Sequence, residues 1–280
     1  MRTGHYSPNP LYTRQRPCFA GRKKARLGGV FPVKVYAGVS PTFVSTIRQA
    51  FQDVKNRIEL SVLKKLAQEG LRIRLAKSYE QIDQFWDTRP EQYGLHWTSR
   101  ITEMAENLCP KWVYRLLQDA DKSGASDTTE GCYYTGDKMI GMTEKAERCF
   151  PLAETLTHEL GHAVDEMMLK FLAKPWKPWF RCEPARISLL PAFKKAFQAD
   201  LPVVRAHYRS LGQSWWKTRE SIRNECPSYE VFADAFASLY YPAYQATYLD
   251  PRKFFPHVRE FLSAQILPVL RQSGTSISGR

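Results

Sequence analysis

Nowhere in the 280-residue sequence do 18 consecutive apolar residues occur, so it offers no candidate for a membrane-crossing helix. Acidic residues are missing from the first 52 positions, the first being Asp53. Arg2 and His5 are followed by no apolar stretch. That argues against a secretory leader and leaves two expectations, a cytoplasmic chain or one exported by another route. The six cysteines, Cys18, Cys109, Cys132, Cys149, Cys182 and Cys226, include no C-x-x-C pair. A zinc ribbon and a thioredoxin-type motif are thereby excluded, and so spread a set in a chain of this length does not demand a disulfide framework. Histidine is scarce, with 6 in all.

The formal net charge of +13 is unevenly placed. Nine Lys and Arg residues precede Asp53, including Arg22-Lys23-Lys24 and Arg26, whereas the remaining 228 residues carry 32 basic and 28 acidic side chains. Residues 1–28, with Pro8, Pro10, Pro17, Gly21 and Gly28 and little periodicity, read as a flexible basic arm. Such an arm can tether a protein to nucleic acid or to an anionic membrane surface. The simpler reading is a solvated leader that aids solubility. Residues 29–272 form the folded body, in a chain that is 43% hydrophobic and long enough to bury a sizeable core, and 273–280 form a loose tail.

Within the body, Val30 to Tyr36 has the β-branched and aromatic character of a first strand. Pro41 to Glu69 carries Val44, Ile47, Phe51, Val54, Ile58, Val62, Leu63 and Leu66 at helical spacing and is closed by Gly70. Leu71, Ile73 and Leu75 alternate with Arg72 and Arg74 as in a half-buried strand. Tyr79 to Asp121 is mixed, with Trp86, Trp97 and Trp112 as core anchors, and Asp119 to Glu130 is a polar loop. Gly131 to Tyr134, a turn at Thr135-Gly136-Asp137 and Lys138 to Met142 form a β-hairpin. Gly131, Tyr133 and Tyr134 could be a sheet edge along which an extended peptide lies, or an ordinary structural strand. Further on, Pro175 to Trp179 is a stiff aromatic loop. Helices are expected over Pro191 to Leu211, Ser214 to Asn224, from Pro227 through Leu239, and over Pro256 to Arg271.

Two of the six histidines stand four apart in His158-Glu159-Leu160-Gly161-His162, an H-E-x-x-H pattern. In a chain of this composition it arises by chance less than about once in a hundred. It lies in a stripe of Leu152, Leu156, Leu160, Val164, Met167, Phe171 and Leu172, preceded by Pro151 and stopped by Lys174-Pro175. On a helix, residues four apart lie one above the other, so His158 and His162 can grip one ion. Glu159 beside them can exchange a proton with a water at that ion. The alternative is a surface helix with incidental histidines.

A catalytic zinc site needs a third protein ligand. Metzincins place it six residues after the second histidine, and here that residue is Met168, which removes that subclass. Asp165, three residues on, reads as a supporting acid or salt-bridge partner. Glu230, in Glu230-Val231-Phe232-Ala233-Asp234-Ala235-Phe236, is the better candidate, because an acid on a second buried helix completes a His-His-Glu set. Asp234, one turn later, can accept the free ring N–H of a ligating histidine and fix its tautomer.

These two segments resemble the lethal-factor-type zinc metallopeptidases, the group of the anthrax toxin lethal factor catalytic domain and the secreted Pro-Pro endopeptidases. The resemblance extends over roughly Val33 to Tyr241 and includes the hairpin before the helix. It implies an α+β fold of zincin type, with a small sheet and the active-site helix above a mainly helical lower half carrying Glu230. It further implies His158, His162 and Glu230 as ligands of Zn2+, Glu159 as general base, a peptide or protein substrate and a secreted protein. Two departures stand out. The family keeps a tyrosine about seven residues before the glutamate ligand to support the oxyanion, and here that residue is Arg223. Tyr229, Tyr240, His207 or Arg223 itself are the candidate donors in its place. The segment between His162 and Glu230 is also longer than the family norm. The leading expectation is therefore a zinc endopeptidase. Two rivals are a catalytically inert zinc-binding or toxin-scaffold module and a nucleic-acid-associated protein acting through its arm.

Overall fold

The computed structural model describes residues 26–78, 81–82, 131–134, 137–144, 151–172, 186–214, 217–219, 221–222, 226–244, 246 and 249–272. Most of the basic arm, the tail, Trp86, Trp97, Trp112, the polar loop, the aromatic loop, Arg223 and Cys18, Cys109, Cys149 and Cys182 lie outside them. Of the two described cysteines, Cys132 is half-buried and Cys226 buried. No helix of the described residues is long and apolar enough to cross a membrane.

Five strands form one sheet, in the order β1-β2-β3-β5-β4: β1 Arg26–Leu27, β2 Phe31–Val35, β3 Arg72–Ala76, β4 Gly131–Tyr134 and β5 Met139–Thr143. β2, β3 and β5 run parallel, while β1 and β4 close the two edges antiparallel. Arg26 and Leu27, the end of the arm by composition, pair with Pro32 and Phe31 and so belong to the sheet.

Parallel β2 and β3 need a crossover, and α1 (Pro41–Arg57) with α2 (Leu60–Gln68) supplies it. Ser40 caps α1 by accepting the Phe43 N–H, and Phe43, Ile47, Phe51 and Val54 face the core. One continuous helix was the expectation for Pro41 to Glu69. Instead the chain turns extended at Ile58 and Glu59. No glycine or proline marks the break. Ile58 is buried there, and Glu59 accepts hydrogen bonds from Tyr240 and Arg271, so distant partners set it. α2 then ends as the sequence suggests, with Gly70 at positive φ and bonds from Leu71 N–H to Leu66 and Gly70 N–H to Ala67.

β3 also departs from its expected half-exposure. It is paired on both sides, and Arg74 is only 9% exposed, with its guanidinium donating to the Tyr36 hydroxyl. Arg72, at the start of the strand, is exposed, whereas Ile73, Arg74, Leu75 and Ala76 are all buried, so only the first arginine meets the expected wet face.

The helix α3 (Leu152–Met167) packs on the sheet, with Pro151 at its N-cap and Leu152, Leu156, Leu160, Val164 and Met167 buried. It stops at Met168, and a short turn α4 (Leu169–Leu172) changes the phase. Phe171 consequently leaves the apolar stripe and is 40% exposed. A 3-10 turn over Ile187–Leu189 leads into α5 (Pro191–Ser210). Of the expected helix at 214–224, residues 217–219 and 221–222 are helical.

α6 (Ser228–Tyr240) is buried almost all round, through Val231, Phe232, Ala233, Asp234, Ala235, Phe236, Ala237 and Ser238, which marks it as the central helix of the lower half. The last helical stretch is not uniform. A short α7 (Pro251–Phe254) precedes α8 (Pro256–Phe261), a π segment at Leu262–Ile266 and α9 (Leu267–Arg271). Pro268 lacks an N–H, and its ring collides with the carbonyl four residues back. The widened π turn ahead of it relieves that conflict. The architecture is thus α+β, a small sheet under α3 with a mainly helical remainder.

Candidate metal centre

α3 and α6 cross at Gly161. A Cβ there would lie 2.8 Å from the Ala233 Cα and 3.1 Å from the Ala233 carbonyl oxygen. Only glycine allows this approach, and Ala233 stands between Val231-Phe232 and Asp234 on the helix that carries Glu230.

The close crossing brings His158, His162 and Glu230 into one group whose ligand atoms all lie within 4.8 Å of one another. His158 Nε2 is 3.1 Å from His162 Nε2. Glu230 Oε2 is 3.3 Å from the first and 3.5 Å from the second. Tetrahedral zinc bound at about 2.0–2.1 Å needs donors roughly 3.3 Å apart. The three separations bracket that value, so the triangle fits the ion.

Glu159 is buried against the opposite wall. A backbone hydrogen bond from Tyr133 holds it, and burial raises its pKa against the lowering pull of His158 and His162. Among the described residues, its Oε2 is enclosed with no hydrogen-bond partner. A buried carboxylate oxygen left so is costly and points to a missing occupant beside it. For His158, burial opposes protonation, but Asp234 and Glu230 outweigh it and hold the pKa well above the ordinary value. Burial works against ionised Glu230 as well, yet the two histidines keep its pKa below the usual carboxylate range.

On the far edge of the His158 ring, Nδ1 lies 2.9 Å from Asp234 Oδ1, the contact expected of an orienting acid. Asp165 has another partner: its two oxygens accept the Ser188 N–H at 2.6 Å and the Ser188 hydroxyl at 2.7 Å. It ties the 3-10 turn to α3. Burial pushes its pKa up to about 6 despite those bonds.

The four candidate oxyanion donors separate. The Tyr229 ring lies 6.0 Å from that of His162, with the Arg186 guanidinium 5.5 Å over its other side, and it is 38% exposed. Tyr240, at the opposite end of α6, donates to Glu59, and a helix rise of about 1.5 Å per residue puts it roughly 15 Å from Glu230. His207 sits on α5 with its ring 4.7 Å from Phe254. Neither is brought to the cluster. Arg223 falls outside the described residues.

Among the described residues β4 stands at one end of the strand order. Gly131 lets α3 approach, since a Cβ would lie 3.0 Å from both Glu159 Cγ and Thr155 Cγ2. The Tyr133 phenol turns toward Glu166 rather than outward, its pKa raised by burial and then by that carboxylate. Tyr134 packs with Tyr36 and Cys132 on a small second cluster around Ile82 and Met139.

Three further residues of the site are not singled out by the sequence pattern. Gly161 could have been noticed as a small residue inside a buried helix. Arg186 stands alone in an aperiodic stretch. Tyr244, whose hydroxyl is 3.0 Å from His158 Nδ1, follows α6 in a tyrosine-rich turn that no periodicity singles out.

No known family's sequence model matches the chain, and no curated protein matches it. Among solved structures it is similar to the Pro-Pro endopeptidase PPEP-2 from Paenibacillus alvei, at 18% sequence identity and a TM-score of 0.42, over 85% of this chain and 97% of that one.

Proposed function

We propose that the chain is a zinc-dependent endopeptidase in which His158, His162 and Glu230 hold the metal and Glu159 is the general base. The observation that carries this reading is the donor triangle, with separations of 3.1, 3.3 and 3.5 Å, together with a buried Glu159 oxygen that has no partner among the described residues. Zinc bound by such a set supplies Lewis acidity, polarising a carbonyl and bringing the pKa of water down to roughly 7.

The chain's own residues supply the rest. Tyr133 fixes one end of the Glu159 carboxylate through its backbone, which leaves Oε2 to take a proton from water and return it to the leaving amine. Asp234 holds His158 with Nδ1 as donor, so that Nε2 faces Glu230 and His162. An extended peptide would lie along β4, the strand whose Gly131 packs against the Glu159 side chain. Tyr229, beside His162 and under Arg186, is the donor best situated to reach a developing oxyanion.

The test is a diverse peptide library digested by zinc-loaded wild type and Glu159→Gln, with metal content measured in both. The variant should retain zinc and lose cleavage by about 10²-fold or more. Cleavage by Glu159→Gln at the wild-type rate would sink the assignment.

A further inference from the structure

Nδ1 of His158, the nitrogen turned away from the donor triangle, is met by two side chains. Asp234 Oδ1 lies 2.9 Å from it and Tyr244 Oη 3.0 Å. The Tyr244 hydroxyl donates to that same Asp234 oxygen at 2.5 Å. All three separations are hydrogen-bond distances. A phenol has one proton to give, and here it goes to Asp234, so the phenol oxygen can only accept from the imidazole.

We propose that Tyr244 is a positioning residue for the His-His-Glu centre, its hydroxyl locking the Asp234 carboxylate so that His158 is held with its proton on Nδ1 and Nε2 turned to the ligand triangle. The proposal rests on the zinc reading above for the group that Nε2 faces.

The reason to single out Tyr244 is where it comes from. His158 lies on α3 and Asp234 on α6, so a shift between those helices would carry both partners of the contact apart. Tyr244 belongs to neither helix. Its N–H donates to the Tyr241 carbonyl at 2.9 Å, and its carbonyl accepts from Arg252 Nη2 at 3.3 Å. Arg252 is itself clamped by Asp250, at 2.8 and 2.9 Å. The hydroxyl is therefore carried by a residue that is itself 5% exposed and is tied to the start of α7. It stands on the Nδ1 edge of the ring, opposite Nε2, so it is out of reach of a substrate carbonyl at the triangle. Its action passes through Asp234 and His158. Outer partners of this kind govern metal affinity through ligand orientation, by roughly 10–100-fold.

The experiment is Tyr244→Phe, which keeps the ring and removes only the hydroxyl. Zinc Kd is measured by competition with a chromogenic chelator, and the His158 imidazole N–H is followed by nitrogen-15 NMR in the full chain. The expected result is a zinc Kd about 10-fold or more weaker, with a faster-exchanging Nδ1 proton. An unchanged Kd together with an unchanged Nδ1–H exchange overturns the role given to Tyr244 while leaving zinc binding intact. The zinc-loaded wild type gives a second check that needs no variant: its His158 proton must be on Nδ1, and a proton on Nε2 overturns the proposal. If the wild type takes up no zinc, the metallopeptidase reading fails and this proposal falls with it.

Discussion

Replacing Gly161 by alanine would put a methyl carbon 2.8 Å from the Ala233 Cα, 3.1 Å from its carbonyl oxygen and 3.3 Å from its Cβ. Carbon atoms rest at about 3.5–4.0 Å, so α3 and α6 must part by roughly 0.5–1 Å. The obstacle is helix backbone, and no side-chain rotation relieves it. Overpacking of this kind costs about 1–3 kcal/mol, while alanine regains about 1 kcal/mol of helix propensity over glycine. The net loss of stability is therefore modest, about 0–2 kcal/mol. Metal affinity is the sharper readout. Glu230 and Asp234 ride on the same helix as Ala233, and the 3.3 and 3.5 Å separations from Glu230 to the histidines would open to about 4 Å, beyond the roughly 3.3 Å a tetrahedral set needs. Zinc Kd should weaken by about 10–100-fold, as for other losses of ligand orientation. Chelator competition measures it, with thermal unfolding of the zinc-free chain alongside. Adding Ala233→Gly removes the 3.3 Å contact and leaves the two closer ones, so it should restore only part of the affinity. A Gly161→Ala chain that binds zinc within twofold of wild type would refute the packing argument.

Other outcomes follow from the same geometry. Asp234→Ala should weaken zinc binding about 10–100-fold, in the same competition assay, because His158 Nδ1 loses its carboxylate partner. Free zinc at about 100 times its Kd should stabilise the fold by about 2.7 kcal/mol, raising Tm by several degrees in a scan that a chelator reverses. Burial pushes the Asp165 pKa up to about 6, well above the ordinary carboxylate range. The folded chain thus binds the extra proton, and the stability this group contributes is present below about pH 4 and lost as pH rises through about 6. The change is about 3 kcal/mol at most. Urea midpoints of wild type and Asp165→Asn, compared at pH 4.5 and 7.5, should diverge by part of that amount. Parallel curves would contradict it.

What the sequence made legible was chemistry at helical spacing. His158, Glu159 and His162, then Glu230 and Asp234, announce themselves because the functional groups recur four residues apart on buried helices, and the structure brings the two sets together. Gly70 likewise announced a helix end that the backbone bonds realise. The features that stayed hidden depend on residues far away in the chain. The break at Ile58–Glu59 is held by Tyr240 and Arg271. Arg74 is buried with its guanidinium on the hydroxyl of Tyr36, 38 residues away in the chain. Phe171 left its stripe when α3 ended at Met168, a change of phase that a periodic pattern cannot foretell. Tyr240 and His207 were candidates by residue type alone, and each is committed elsewhere, to Glu59 and Phe254. Tyr244 needed the turn after α6 to fold before it met His158.

On the proposed reading, metal held between α3 and α6 is what makes the chain a peptidase. This is tested most directly by measuring the rate of peptide cleavage while zinc is titrated into the metal-free chain. No cleavage is expected without zinc, and the rate should climb in proportion to occupancy until one ion per chain is bound. Cleavage by the metal-free chain, or none at full occupancy across a diverse peptide library, would contradict it.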